Sequence, residues 1–213
     1  MYGDTSQVIH KSGSTPLLAI ADQTWTHIAI TRTSNVQKLF VDGVQHVSRS
    51  DTKNYTSNCR ISIGTYYNTS SYIFRGYIAG FRVIKGTSLY SADFVPDRTA
   101  PDPALTNTKF YYPYNGMLTR DYHGKTITPS HLNNDNGPRP KTPYDGIAYD
   151  PATHGGSIRF LASEWITAPS SADFAFGTGD FTIEGWANHN GHLIGQNRYI
   201  FDLGSNGVRI QCY

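Results

Sequence analysis

Two acidic residues are the first side chains in this sequence that could do chemistry. Asp180 and Glu184 stand four positions apart in an alternating segment, so a strand would place both on one face. Glycoside hydrolysis requires two carboxylates about 5–9 Å apart. No close cluster of acids accompanies the pair, however, and Asp180 is better explained as the residue that ends the turn at 177–179. We therefore predict that the chain is not an enzyme, and glycoside hydrolysis is the least favoured function.

The histidines give no clear metal or catalytic site. His189 and His192 flank a glycine, and such a loop does not present a fixed pair of ligands; no cysteine lies near them to complete a zinc site. His27 alternates with Ala29 and is interpreted as a core or cross-strand histidine. No G-x-S-x-G pattern for a nucleophilic serine is present. We assign no cofactor and no metal ligands.

A tyrosine-rich loop is the best binding candidate. Tyr66, Tyr67, Asn68 and Tyr72 bring three aromatic rings and an amide into one short segment. Sugar recognition uses flat aromatic faces for the apolar side of the ring and polar groups for the hydroxyls, much as antibody loops do. The alternative is that a turn-rich β protein carries many tyrosines half-buried at loop ends. Both interpretations stay open, and we take these four residues as candidate glycan-binding residues.

The elements that must position these side chains are short strands, which recur roughly every 8–12 residues with turn signals between them. The clearest are residues 26–31, 37–41 and 44–47, separated by a turn at Ser34-Asn35 and by Asp42-Gly43, the dipeptide favoured in two-residue hairpins. We predict an all-β, antiparallel β-sandwich with little helix beyond one turn near 170–174. Further strands are predicted at 7–11, 17–20, 59–64, 74–85, 109–112, 158–161, 165–168, 181–186, 199–203 and 208–213.

Composition excludes several classes of function. The net charge is +2, from 18 basic and 16 acidic residues, and no run of Lys or Arg is present, so we expect no nucleic-acid partner. The apolar stretches are too short to span a bilayer, so we expect no membrane insertion. The first residues lack the pattern of a secretory signal, so export by another route or a start upstream of Met1 is expected. Cys59 and Cys212 are predicted to be buried free thiols.

Several motifs together carry a family resemblance. The first runs from Trp25-x-His27 through Lys38 to Asp42-Gly43, and the second is Gly76-Tyr77-Ile78 with Phe81-Arg82-Val83. With GSIRF at 156–160, SADFAFGTGDFTIEGW at 171–186 and NTKFYYPYNG at 107–116, they resemble the laminin-G-like, concanavalin A-like jelly-roll family. The resemblance is closest to tandem repeats of that family in phage and other virion-surface proteins.

In that family the first two motifs belong to the second half of a domain, and the later ones to the first half. Residues 1–104 therefore resemble the C-terminal half of one unit, and residues 105–213 the N-terminal half of the next, the two being complementary parts of one sandwich. The prolines at 96, 101 and 103 mark the boundary. A window of a tandem array or an open head-to-tail fibre is favoured over a closed circular permutant. Both favoured arrangements predict pairing of residues near 208–213 in one unit with 5–11 of another.

The resemblance implies a non-enzymatic structural or adhesion repeat of an extracellular or virion-surface fibre, assembled through its sandwich edges. Its partners would be copies of itself or neighbouring repeats. The alternative is a carbohydrate-binding module that recognises surface glycans. Calcium is the natural metal of the family, with Asp42, Asp202 and Asn206 as unassigned candidates. Asn54 and Asn68 lie in glycosylation patterns.

Overall fold

A computed structural model describes residues 7–8, 21, 23–56, 59–66, 72–98, 102, 104–112, 120–130, 156–161, 164–190, 198–204 and 207–212. Nearly all regular structure in these residues is β. The strands are β1 Gln7–Val8, β2 Trp25–Thr33, β3 Val36–Val41, β4 Val44–Ser50, β5 Ile61–Ile63, β6 Gly76–Lys85, β7 Thr108–Tyr112, β8 Thr128–Ser130, β9 Ser157–Phe160, β10 Trp165–Ala168, β11 Phe181–His189, β12 Arg198–Asp202 and β13 Val208–Cys212. No helix among the described residues is long and apolar enough to cross a membrane.

The strands form two sheets, and the predicted β-sandwich is confirmed. One sheet has the order β1-β13-β12-β5-β10-β8, and the other has the order β4-β3-β2-β11-β6-β7, with β9 also paired to β6. Alternate residues of each central strand face a common core, as in Ile28 and Ile30 of β2 and Ile183 of β11. The seven-stranded sheet therefore has a second face, away from this core, which carries the polar residues of the same strands.

The three-stranded meander β2–β3–β4 is confirmed together with both of its turns. Ser34 and Asn35 have φ of 48° and 64°, and Asp42 and Gly43 have φ of 49° and 78°. Two successive residues with positive φ are what a type I′ hairpin requires, which explains the Asp-Gly sequence.

Strand β11 lies in the middle of the seven-stranded sheet, although it comes late in the chain. It is antiparallel to β2 on one side and to β6 on the other. Residues 1–104 and 105–213 therefore both contribute strands to each sheet. The assignment of these segments to successive units of an array stays a prediction.

The edge expected to pair between units is closed within one chain. Gln7 pairs with Val208 and Val8 with Arg209, in parallel orientation. The expectation of inter-unit pairing at this edge is therefore wrong for this structure, which shows the closed, permutant-like arrangement instead. The physical reason is that the two segments complete each other's sheets, so β1 meets β13 without a neighbouring molecule.

Strand β6 contains a bulge at Gly80, one of its interior glycines. The register with β11 shifts between Glu184 and Trp186, opposite Gly80, whose φ is 58°. Gly185 lies against this bulge, where a Cβ would come 3.2 Å from the Cα of Phe81. The bulge therefore leaves little room for a side chain at position 185, between Glu184 and Trp186 on the outer face.

Residues 86–98, which we call the strap, lie across the outer face of the seven-stranded sheet. The rings of Tyr90 and Phe94 stack with centroids 3.6 Å apart, and Phe94 packs on Phe40 of β3 at 5.5 Å. Thr31 Oγ1 donates to the Tyr90 carbonyl, and the Phe94 amide donates to the Gly43 carbonyl. The segment just before the predicted boundary is thus packed against the sheet, because its aromatic residues cover apolar positions there.

The structure also tests the predicted helical turn and one of the two cysteines. The helical turn is present as a 3-10 turn at Ala172–Phe174, capped by Ser171. Strand β8 was not predicted, because it is short and contains Pro129. Cys59 is a buried free thiol as expected, and burial raises its pKa to about 11. The predicted strand 17–20 and the side chain of Cys212 lie outside the described residues.

Candidate functional site

Three tyrosines form an aromatic cluster at one end of the six-stranded sheet. Tyr66 follows β5 and Tyr199 is the second residue of β12, and the antiparallel pairing of these strands brings both positions to the same end. Their ring centroids are 5.0 Å apart, and Tyr72 lies 6.0 Å from each of them. These are the distances of favourable aromatic contacts. We call Tyr66, Tyr72 and Tyr199 the tyrosine cluster.

The backbone and a buried ion pair hold this cluster in place. Tyr72 has φ of 65°, and its carbonyl accepts a hydrogen bond of 3.1 Å from the amide of Tyr199. Behind the rings, the Arg209 guanidinium lies 4.7 Å from the Tyr66 centroid, and its Nε lies 3.4 Å from Asp202 Oδ1. Burial raises the pKa of Tyr199, although the charge of Arg209 opposes this effect. The three rings are therefore preorganised, and Tyr72 is 50% exposed.

The structure brings together two of the four candidate glycan-binding residues. Tyr66 and Tyr72 are in contact, whereas Tyr67 and Asn68 lie outside the described residues. Sequence reasoning missed Tyr199, because it is far along the chain and joins the cluster only through the pairing of β5 with β12. Its position at the start of a predicted strand was the available signal.

A second polar group lies on the outer face of the seven-stranded sheet, and sequence reasoning did not assemble it. Arg82 of β6 is directly opposite Glu184 of β11, and its Nε donates to Glu184 Oε1. His27 of β2 lies diagonally across, with Nε2 3.3 Å from Glu184 Oε2. Glu184 and His27 are only 3% and 5% exposed. The interpretation of His27 as a cross-strand histidine is confirmed.

The charges of this group are strongly coupled. Burial alone would raise the pKa of Glu184, but the proximity of His27 and Arg82 outweighs it and lowers the pKa to about 2. Burial and the adjacent Glu184 carboxylate in turn raise the pKa of Tyr90. At neutral pH this second group therefore contains the ionised carboxylate of Glu184, the guanidinium of Arg82 and the un-ionised phenol of Tyr90.

The same residues open into a cavity of about 200 Å³ beneath the strap. Its buried part contains Glu184, His27 and Trp186, and the rings of His27 and Trp186 are 5.1 Å apart. The exposed part contains Asp97 and Asp102. The full lining is His27, Gly80, Arg82, Tyr90, Asp97, Asp102, Glu184 and Trp186.

The acidic pair considered for hydrolysis is not brought together. Asp180 Oδ1 accepts a hydrogen bond of 3.1 Å from the Ser34 amide and joins two turns, as its position after the glycines indicated. Glu184 instead faces His27 and Arg82. The two carboxylates therefore have different roles: Asp180 lies in a turn, and Glu184 is buried beside His27 and Arg82.

The calcium candidates that the structure describes have other partners. Asp42 Oδ1 accepts from the His27 amide at 2.8 Å, and Asp202 is buried beside Arg209. Asn206 and His192 lie outside the described residues. Within the described part of the chain, no group of three or more His, Cys, Asp or Glu side chains could hold a metal ion.

The two packed antiparallel sheets define a β-sandwich of the jelly-roll class. Residues 3–89 match the family model Laminin_G_3, described as the concanavalin A-like lectin/glucanases superfamily, and this confirms the resemblance for the part of the chain that carries the first two motifs. Laminin-G-like domains are typically extracellular and generally non-catalytic, although the superfamily also includes glycosidases. No curated protein and no solved structure matches the chain significantly.

Proposed function

We propose that this chain is a non-enzymatic adhesion domain of an extracellular or virion surface that binds carbohydrate through the tyrosine cluster. The observation that carries the proposal is the contact of Tyr66, Tyr72 and Tyr199, in which Tyr72 is half exposed and Tyr66 packs on the buried Arg209. Aromatic faces of this kind pack against the apolar face of a sugar ring.

The tyrosine cluster is small, but its rings are already arranged for binding. The rings already contact each other, and the backbone bond between Tyr199 and Tyr72 fixes their spacing, so a ligand would not have to order them. Binding at one cluster would still be weak, because its area is small. Repetition of the domain on a fibre or coat would convert weak binding into strong attachment by avidity.

The non-enzymatic part of the proposal is supported by the state of Glu184. A general acid for glycoside cleavage needs a raised pKa, whereas this carboxylate has a lowered one and is held by Arg82.

The test is binding of the protein to immobilised neutral oligosaccharides, followed by titration of the best ligand. Tyr72→Ala should weaken binding about tenfold, which corresponds to the loss of one aromatic contact. The matched control is Tyr122→Ala, because Tyr122 is 52% exposed and is outside the cluster, in contact with Tyr111.

Equal affinity of the wild type and Tyr72→Ala would contradict the assignment of the site. Failure of the wild type to bind any oligosaccharide on the panel would contradict carbohydrate recognition altogether.

A second candidate function is assembly of identical units through a sheet edge. Strand β4 forms one edge of the seven-stranded sheet, and Val44 on it is 54% exposed. Exposed edge strands can pair with another chain, although Asp93 of the strap already accepts from the Gln45 amide. Sedimentation velocity over a range of concentrations would show higher oligomers if this edge assembles, and Val44→Lys should then abolish them. A monomer at all concentrations would contradict assembly.

A further inference from the structure

An asparagine on the outer face of the seven-stranded sheet is buried with its side-chain amide unsatisfied. Asn188 is 1% exposed, and among the described residues neither its Oδ1 nor its Nδ2 has a hydrogen-bond partner. A buried amide that forms no hydrogen bond is costly, so its retention calls for an explanation such as a bound group. The two atoms lie side by side at the end of one planar amide, and a single bound group can therefore reach both.

Two aromatic side chains lie over this amide. Asn188 is directly opposite Trp25 of β2 and Tyr77 of β6, so the three side chains share one face of the sheet. The strands on either side of β11 are about 10 Å apart, yet the ring centroids of Trp25 and Tyr77 are 6.5 Å apart. The rings therefore lean towards each other above the amide. We call Trp25, Tyr77 and Asn188 the amide site.

The aromatic cover is only loosely closed. Trp25 and Tyr77 are half-buried, so each side chain keeps a part that faces solvent, whereas Asn188 is enclosed. Their tilted contact is near the long end of the range for aromatic pairs, about 4.5–7 Å between centroids. Rotation of either ring away from the other uncovers the amide and leaves the strands in place, and contacts with a ligand can replace the contact that is lost.

The chemistry of the three side chains identifies a sugar ring as the occupant. The amide offers an acceptor and a donor side by side, and two neighbouring hydroxyls are complementary to it, because each hydroxyl can donate or accept. Such a pair of hydroxyls satisfies the amide in either of its two orientations. The rings of Trp25 and Tyr77 offer apolar faces to the carbon-bound hydrogens of the same sugar.

We propose that the amide site is a second carbohydrate site, in which a sugar ring packs on Trp25 and Tyr77 while two neighbouring hydroxyls hydrogen-bond to Asn188. The site lies on the outer face of the seven-stranded sheet, whereas the tyrosine cluster lies at one end of the six-stranded sheet. It therefore does not depend on binding at the tyrosine cluster. A domain with two weak sites would be held on a glycan-coated surface by avidity.

The test measures binding of the methyl glycosides of mannose, galactose and glucose to the Tyr72→Ala protein, in which the tyrosine cluster is weakened. At least one should bind saturably at millimolar concentration in isothermal titration and change the tryptophan fluorescence. Trp165 and Trp186 are only 7% and 3% exposed, so Trp25→Phe should remove most of this change. Among deoxy forms of the best probe, loss of either of two neighbouring hydroxyls should weaken binding about tenfold.

Asn188→Leu removes the amide and nearly preserves the shape of the side chain. It should abolish binding of the best probe and raise the melting temperature of the free protein by about 2–4 °C, because an apolar group replaces an unsatisfied amide. Asn190→Leu is the matched control, since Asn190 is exposed and its backbone amide, which donates to the Arg75 carbonyl, is retained. It should change neither quantity. Tyr77→Ala should weaken probe binding about tenfold, and it keeps the test decisive if Asn188→Leu does not fold.

Three results would overturn the proposal. One is no saturable binding of any of the three methyl glycosides at millimolar concentration. Another is unchanged probe binding in Asn188→Leu or, if that variant does not fold, in Tyr77→Ala. The third is a lower melting temperature of folded Asn188→Leu, which would show that the amide already has partners in the free protein. Asn188→Leu in the protein with an intact Tyr72 should leave binding at the tyrosine cluster unchanged, so the failure of one site is distinguishable from the failure of the other.

Discussion

Arg32 is a charged residue with no exposed surface, and it joins the early part of the chain to the late part. From β2, its guanidinium donates to the carbonyls of Gly177 and Gly179 at 2.8 and 2.9 Å, and to that of Lys53 at 2.8 Å. It lies against the rings of Tyr55 and Phe181, 4.9 and 5.2 Å from their centroids. The Arg32 side chain of β2 therefore helps to fix the glycine-rich turn before β11.

Replacement of Arg32 by Met should strongly destabilise the protein. The change leaves several buried carbonyls and the nearby Asp51 carboxylate, 3.7 Å away, without their cation. Breaking a buried pair in this way costs about 3–5 kcal/mol. Urea denaturation followed by circular dichroism measures the free energy of unfolding. Arg120→Met is the matched control, since Arg120 is exposed and donates to the Gly124 carbonyl; an equal loss in both variants would contradict the role of Arg32.

The lowered pKa of Glu184 predicts that the protein loses stability at acidic pH. Its pKa is about 2 in the folded protein and about 4.5 when unperturbed, so the unfolded state binds more protons between these values. The stabilisation from Glu184 is therefore complete above pH 4.5 and is lost as the pH falls towards 2. The free energy of unfolding should fall more steeply over this range in the wild type than in Glu184→Gln. Parallel pH curves would show that Glu184 is not coupled to folding.

At the scale of elements, the strap and the β3–β4 hairpin are built against each other. The Phe94 amide donates to the Gly43 carbonyl, and the Phe94 carbonyl lies where a side chain at Gly43 would be. The rings of Tyr90 and Phe94 close over Phe40 and His27. The hairpin glycine thus serves two purposes: it permits the turn, and it gives the strap room to cover the sheet.

Two glycine substitutions separate these purposes. Gly43 and Gly86 have φ of 78° and 88°, so Ala is strained at both by about 1 kcal/mol. A Cβ at Gly43 would also lie 1.8 Å from the Phe94 carbonyl oxygen, whereas a Cβ at Gly86 would have no neighbour within 4 Å among the described residues. Gly43→Ala should therefore cost clearly more than Gly86→Ala in thermal denaturation, by about 1–3 kcal/mol, because the strap must shift. Equal losses of stability in the two variants would mean that the strap does not pack closely against the hairpin.

Local patterns predicted the elements well, and contacts between distant elements poorly. Alternation and the Asp42-Gly43 turn were sufficient to identify the meander, because a strand and its hairpin are specified by neighbouring residues. The cluster of His27, Arg82 and Glu184 was not predictable, since it depends on the register of three strands far apart in the chain. Arg32 was missed for a different reason: arginine is rarely buried, so composition places it at the surface.

At the scale of the whole molecule, neither segment completes a sheet alone. Strand β11 separates β2 from β6, and β5 lies between β12 and β10. Without the later segment, the earlier one would leave two strand edges and an apolar face unpaired. The same dependence applies in reverse, because β10, β11 and β12 pair with strands of the earlier segment.

Fragments should therefore fold only together. Residues 1–104 and 105–213, produced separately, should each show little β-structure by circular dichroism. Mixed or co-expressed, they should form a one-to-one complex with the spectrum of the intact chain, and Arg32→Met in the first fragment should weaken that complex. A cooperative thermal transition in either isolated fragment would contradict this dependence.

The central position of β11 has a consequence for how the protein is made. Ribosomes deliver β2, β3 and β6 long before residues 181–189, which must then enter between strands that already exist. Until β11 has been synthesised, the facing edges of β2 and β6 lack their native partner. Pairing of β2 directly with β6 would give a misfolded, kinetically trapped sheet. The sheet therefore forms late in synthesis, at a rate set by contacts between residues far apart in the chain.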